Sequence, residues 1–143
     1  GTNINELKFI LDRINLKEKV GVCLDTCHLN DSGIDISKFN EYLEEFDKVI
    51  GLEKVKCIHL NDSKNEAGSH KDRHENLGYG TIGFENLINI CYMDVFKNIP
   101  KVLETPYIDG KAPYKFEIEM IKNKLFNKNL INDVNEYYKE KVK

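Results

Sequence analysis

The chain has 143 residues, 41% hydrophobic and 31% charged, with a formal net charge of −3. That length lies near the commonest domain size and allows roughly two thirds of the unfolded surface to be buried, so one domain's worth of core is available. The composition is ordinary for a globular protein, and nothing in it reads as a signal peptide or a membrane-spanning run, so an intracellular protein is expected.

Leu7, Ile10, Leu11 and Ile14 follow the i, i+3, i+4, i+7 spacing of an amphipathic helix, and Val20 to Leu24 then forms a short, nearly continuous apolar strand. Phe39, Leu43, Phe46 and Ile50 mark the next helix, with Ser37 as N-cap and Gly51 as the residue beyond its C-terminus. Val55 to Leu60 supplies a second apolar run. A polar stretch from Asn61 to Gly83, with glycines at 68, 78, 80 and 83, separates it from a helix carrying Phe84, Leu87, Ile88 and Cys91. Loops of that length without structure of their own are usually functional. A third strand, Val102-Leu103, sits between Pro100 and Pro106, and Tyr114, Ile118, Ile121 and Leu125 space the helix after it. Leu130, Val134 and Tyr137 predict a terminal helix over 129–142, packed on the outside. Alternation of helix and apolar strand is the pattern of right-handed βαβ units on a parallel sheet, an α/β fold with both faces covered.

Cys23, Cys27, Cys57 and Cys91 lie mostly within apolar runs, which points to buried thiols in a reducing compartment and not to a disulfide framework. Cys23 and Cys27 form a C-x-x-x-C pair without a second pair to match it, and the strand assignment buries Cys23.

Chemistry concentrates in Asp25-Thr-Cys-His28, His59, Asp72-Arg-His74 and Glu104, each at or after the end of an apolar run. Neutral imidazole and ionised carboxylate are the usual nitrogen and oxygen donors of zinc, and manganese or iron accept the same mixture. Asp72 and His74 are two apart, so an extended segment turns both to one side. Asp25 and His28 are three apart, so Asp25 at the strand end and His28 on the following turn would serve neighbouring ions. More than one metal is therefore expected. Arg73, one of only two arginines, lies between two candidate ligands and is a candidate phosphate contact.

Gly-Val-Cys-Leu-Asp25-Thr-Cys-His28, His59-Leu-Asn-Asp-Ser-Lys, Asp72-Arg-His74-Glu-Asn-Leu-Gly-Tyr-Gly-Thr-Ile-Gly and Leu-Glu104-Thr-Pro together resemble endonuclease IV, the metal-dependent apurinic/apyrimidinic endonuclease family. The resemblance runs from about residue 1 to about residue 126. It implies the C-terminal part of a TIM (β/α)8 barrel over residues 1–127, with about three of the eight strands, and a helical extension over 128–143. Whole barrels of this kind need about 250 residues, so a fragment of a longer protein is expected.

By the same resemblance, His28, Asp72 and His74 would be one complete zinc ligand set, and Asp25, His59 and Glu104 ligands of a second ion. The intact protein would hold up to three zinc ions, with manganese possible. The implied reaction is zinc-dependent hydrolysis of double-stranded DNA on the 5′ side of an abasic nucleotide in base excision repair, together with cleaning of blocked 3′ ends. The chain alone is expected to be inactive. The implied compartment is the cytoplasm of a bacterium, or the nucleus, mitochondrion or plastid of a eukaryote. Two other readings stand beside this one: a xylose-isomerase-like sugar isomerase or epimerase, which needs fewer metals, and a non-catalytic zinc-binding half-barrel that self-associates through open sheet edges.

Overall fold

The computed structural model describes residues 3–141. Three parallel strands form the central sheet: β1 (Val22–Asp25), β2 (Val55–His59) and β5 (Lys101–Val102), in the order β1-β2-β5. Between them run α1 (Ile4–Asp12), α2 (Thr26–Asp31), α3 (Phe39–Val49), the two-residue strands β3 (Asp62–Ser63) and β4 (His74–Glu75), and α4 (Phe84–Cys91). The chain continues through α5 (Tyr114–Asn123) and α6 (Leu130–Lys141). This is the expected succession of parallel βα units. Residue 142, the last of the expected terminal helix, lies outside the described residues, as does Gly1. No helix among the described residues is long and apolar enough to cross a membrane.

The pleat sorts the side chains of β1 and β2 onto two faces. Val22, Leu24 and Ile58 turn into the core, where Leu43 and Phe46 of α3, Leu87 and Ile90 of α4, and Phe96 are also buried. Cys23, Asp25, Cys57 and His59 alternate with them and face the other way. Cys23 is therefore exposed, contrary to the expectation that the strand buries it. Its apolar neighbours in sequence point to the helices and it does not.

Other local differences have identifiable causes. Ser37 does not cap α3, because Asp35 Oδ1 accepts both its amide (3.0 Å) and its hydroxyl (2.6 Å) and starts a 3-10 turn, Ile36–Lys38, that leads into the helix. Gly51 does follow the end of α3, with φ +106°. On α1 only Ile4 is buried, and Phe9 and Ile10 are exposed. Helix α5 ends at Asn123 with Lys124 in the left-handed region (φ +52°), which leaves Leu125 outside the helix and 70% exposed. Its buried face carries Glu117 and Met120, and Ile118 is exposed.

The stretch from Asn61 to Gly83 is ordered. β3 and β4 pair antiparallel, Ser63 opposite His74, and Lys64 N–H donates to Arg73 O (3.0 Å). The Asp62 carboxylate, fully buried, accepts the backbone amides of Ser63, Gly78, Gly80, Ile82 and Gly83 at 2.8–3.3 Å. Gly80 passes so close that a Cβ there would overlap Ser63 O and the Asp62 carboxyl group. Asp62 thus does for this loop what a sheet neighbour does for a strand: it takes up amides that have no other partner.

Candidate metal centre

Asp25 is both the last residue of β1 and the N-cap of α2, its Oδ1 accepting the amide of His28 (3.1 Å). That cap sets His28 on the first turn of α2 and leaves Oδ2 of Asp25 to face the sheet. Oδ2 lies 3.4 Å from His74 Nε2 and 3.8 Å from His59 Nδ1. His59, at the end of β2 and in register with Asp25, has its Nδ1 in direct contact with Glu104 Oε1. Asp72 reaches two imidazoles, with Oδ2 3.4 Å from His28 Nδ1 and Oδ1 3.9 Å from His74 Nε2. The six residues singled out in the sequence thus form one unbroken string, His28, Asp72, His74, Asp25, His59 and Glu104. Within it the donor atoms of Asp25, His59 and Glu104 all lie within 4.8 Å of one another.

Asp72 gets there differently from the expectation. It is not part of an extended segment: β4 starts at His74, and Asp72 has φ +49°, a conformation Asp tolerates better than most residues. The arm that carries it is tied to the end of α2. Asp31 O accepts His70 N (2.8 Å), Asp31 Oδ2 accepts Arg73 N (3.4 Å), and Asn30 O accepts Gly68 N (3.0 Å). Burial pushes the Asp31 carboxyl up, but hydrogen bonds from Ser63, Asn30 and the Arg73 amide outweigh it and hold the group below the usual carboxylate value. Arg73 itself is exposed, and among the described residues its guanidinium makes no ion pair.

A second tier of polar residues orients the first. His74 Nδ1 lies 3.0 Å from the backbone carbonyl of Glu104. A carbonyl only accepts, so Nδ1 donates to it and Nε2 is the ring nitrogen turned toward two carboxylates. Asn61, fully buried, accepts the Glu104 amide on Oδ1 (2.8 Å) and donates from Nδ2 to Asp25 Oδ2 (3.4 Å). The Thr26 hydroxyl pins the Asn61 backbone, donating to its carbonyl (2.6 Å) and accepting from its amide (2.9 Å). Glu117, also fully buried, accepts from the Thr105 hydroxyl and from Leu77 N (2.9 Å), next door to Glu104 and to the His74 segment. Sequence reasoning missed Asn61, Asp31, Asp62 and Glu117. The run Asn61-Asp62-Ser63 directly after a strand was the available signal.

The thiols divide. Cys27 is buried, its Sγ lies 3.8 Å from Asp31 Oδ2 and within 4.8 Å of donor atoms of Asp72 and His74, and burial drives it upward so that it stays protonated. Cys23 is exposed as a residue, yet partial desolvation of its thiol and the neighbouring Cys57 push it up to about 11.

The donor set fits a divalent cation. A tetrahedral ion bonded to nitrogen and oxygen at about 2.0 Å holds its ligands roughly 3.3 Å apart, and Asp72 lies 3.4 Å from His28 and 3.9 Å from His74.

A profile of the xylose isomerase-like TIM barrel family matches residues 1–124. A "Probable endonuclease 4" from Mycoplasma capricolum is 56% identical over 129 residues, covering 90% of this chain and 45% of that protein. One from Staphylococcus saprophyticus is 48% identical over 140 residues, covering 94% and 47%. The crystal structure of endonuclease IV from Thermus thermophilus superposes with a TM-score of 0.73 at 31% identity, covering 86% of this chain and 44% of that one. The chain therefore spans a little under half the length of these relatives. It belongs to the xylose isomerase-like TIM barrel family and, within it, to the endonuclease IV group.

Proposed function

We propose that this sheet carries the metal centre of a DNA repair endonuclease that hydrolyses the phosphodiester on the 5′ side of an abasic nucleotide. One observation supports the reading above the others: with Nδ1 turned to a backbone carbonyl, His74 points Nε2 at the carboxylates of both Asp25 and Asp72, at 3.4 and 3.9 Å. Two carboxylates converging on one ring nitrogen repel each other unless a proton or a cation lies between them. The relatives named above carry the name endonuclease 4. Because the chain spans 45–47% of them, the reaction is assigned to a barrel that contains this sheet, and the chain alone is expected to bind metal without cleaving DNA.

In this reading His28, Asp72 and His74 hold one zinc ion, and Asp25, His59 and Glu104 contribute to a second, with manganese an acceptable substitute. Bound divalent ions supply a lowered water pKa and charge stabilisation at phosphate oxygens. The chain's own part is positional. Asp25 and Asp72 neutralise cationic charge, and the Glu104 carbonyl fixes the ring of His74. Arg73, exposed beside the ligands and with no ion-pair partner among the described residues, pairs with a phosphate of the strand. Water oxygen bonds to phosphorus, the P–O3′ bond breaks, and the proton goes to O3′, leaving a 3′ hydroxyl and a 5′ deoxyribose phosphate. Recognition rests on the base-less nucleotide, which leaves the helical stack at lower cost than a paired one. A blocked 3′ terminus offers the same oxygens and is a second substrate.

The test is a duplex containing one tetrahydrofuran abasic analogue, incubated with the barrel carrying this sheet, with and without chelator. Cleavage 5′ to the analogue, lost with chelator and in the Asp72→Ala/His74→Ala double variant, is expected. Undiminished cleavage by that double variant would refute the ligand assignment. Binding of a single ion per barrel, with sugar isomerisation in place of cleavage, would favour the isomerase branch of the same fold.

A further inference from the structure

Cys23 and Cys57 are cross-strand partners on β1 and β2, one same-face step below the Asp25 and His59 pair. Successive same-face positions on paired strands stack as rungs, so the two sulfurs sit directly beneath the carboxylate and the imidazole. Both Sγ atoms and a ring nitrogen of His59 lie within 4.8 Å of one another. Neither thiol is in a disulfide, Cys23 is exposed and Cys57 half-buried. A tetrahedral ion with sulfur at about 2.3 Å holds two thiolates roughly 3.8 Å apart, so this spacing needs little movement.

We infer that Cys23, Cys57 and His59 form a second, thiol-rich cation site that takes thiophilic ions such as cadmium, zinc or monovalent copper. The inference is independent of the carboxylate and imidazole centre except that both use His59. Softness separates the two: sulfur donors select thiophilic ions, whereas Asp25 and Glu104 provide oxygen. An imidazole has two nitrogens, so His59 is the point at which a thiophilic ion disturbs the upper centre, drawing the ring away from Glu104. Filling the lower site displaces two thiol protons to solvent, and the fourth coordination position is left to water.

The probe is cadmium alone, titrated into the reduced, metal-free 143-residue chain while the ultraviolet thiolate-to-cadmium charge-transfer band is followed. The band is expected to rise and saturate at one ion per chain. Cys23→Ser and Cys57→Ser should each abolish it, Cys91→Ser should leave it, and His59→Gln should weaken the apparent affinity at least about tenfold. Asp25→Asn combined with Glu104→Gln should keep the band, so failure of the upper centre and failure of the lower one give different results. Cys23→Ala and Cys57→Ala, with melting curves, control for loss of fold. A band that survives in folded Cys23 and Cys57 variants, or affinity unchanged in folded His59→Gln, would overturn the site.

Discussion

The side-chain carbonyl of Asn61 accepts the backbone amide of Glu104 at 2.8 Å, so a residue just past β2 fixes the chain just past β5. The same side chain donates to Asp25 Oδ2. Asn61→Asp keeps the acceptor for Glu104 but sets a second carboxylate oxygen against Asp25. Zinc affinity is expected to fall by roughly 10–100-fold, the usual cost of losing an outer partner of a metal ligand. Competition with a chromophoric chelator measures it, and an affinity equal to that of the parent chain would show that Asn61 does not orient the ligands.

Asp62 gives a stability prediction independent of metal. Both its oxygens accept backbone amides, two on Oδ1 and three on Oδ2, so neither position can be given to a donor. Asp62→Asn places an NH2 group against N–H donors in a buried pocket and is expected to destabilise by about 2–4 kcal/mol. Urea denaturation should show a lower midpoint at unchanged slope, and a shift below half a molar unit of that scale, at about 1–3 kcal/mol per molar urea, would contradict the hub role.

Much of this was legible in the chain because the relevant signals are periodic or local. Apolar runs at Val22, Val55 and Val102 and helical spacing from Phe39 and Phe84 identified the parallel βα units, and Asp25 followed by His28 read correctly as a strand end and a turn. What was not legible depends on pairing across distance. Helix α2 is six residues long, too short to show a period, and β3 and β4 are two residues each. Glu117 looked like one more solvated charge beside Ile118, yet the helix buries the carboxylate and exposes the isoleucine, because Thr105 and the Leu77 amide supply its hydrogen bonds. Cys23 looked buried because its neighbours are apolar, and only the pleat decides which of them faces the helices.

Glu117 contrasts with Asp62. Burial pushes its carboxyl above the ordinary 4.5, as it also raises that of Asp62, but here it acts against hydrogen bonds from Thr105, the Leu77 amide and Asn76, two of them from side chains. The folded state therefore holds this proton more tightly than the unfolded chain. Its stabilising contribution is complete below 4.5 and is lost as pH rises through the folded-state value. Glu117→Gln removes that dependence and can satisfy all three partners, since its amide nitrogen donates to a rotated Thr105 hydroxyl and its carbonyl accepts from Leu77 N–H and Asn76 Nδ2. The variant should lie within about 1 kcal/mol of the parent chain in acid and gain on it as pH approaches neutrality. Urea midpoints of the two proteins, compared across that range, check the sign. A gap that widens in the opposite direction would mean that the folded state holds this proton less tightly than the unfolded chain does.

The sheet has two unpaired borders among the described residues, since β1 and β5 each bond only to β2. Parallel sheets are ordinarily covered on both faces, yet here Cys23 and Val102 are exposed on the face opposite the core. Strand edges with free amide and carbonyl groups beside apolar side chains favour pairing with another chain. The 143-residue chain is accordingly expected to self-associate as its concentration rises, whereas Val102→Lys, which places a charge on that open face, should shift it toward monomer. Sedimentation velocity over a concentration series decides the matter: a single species of monomer mass at every concentration would mean that the open edges are protected in a way the strand pairing does not reveal.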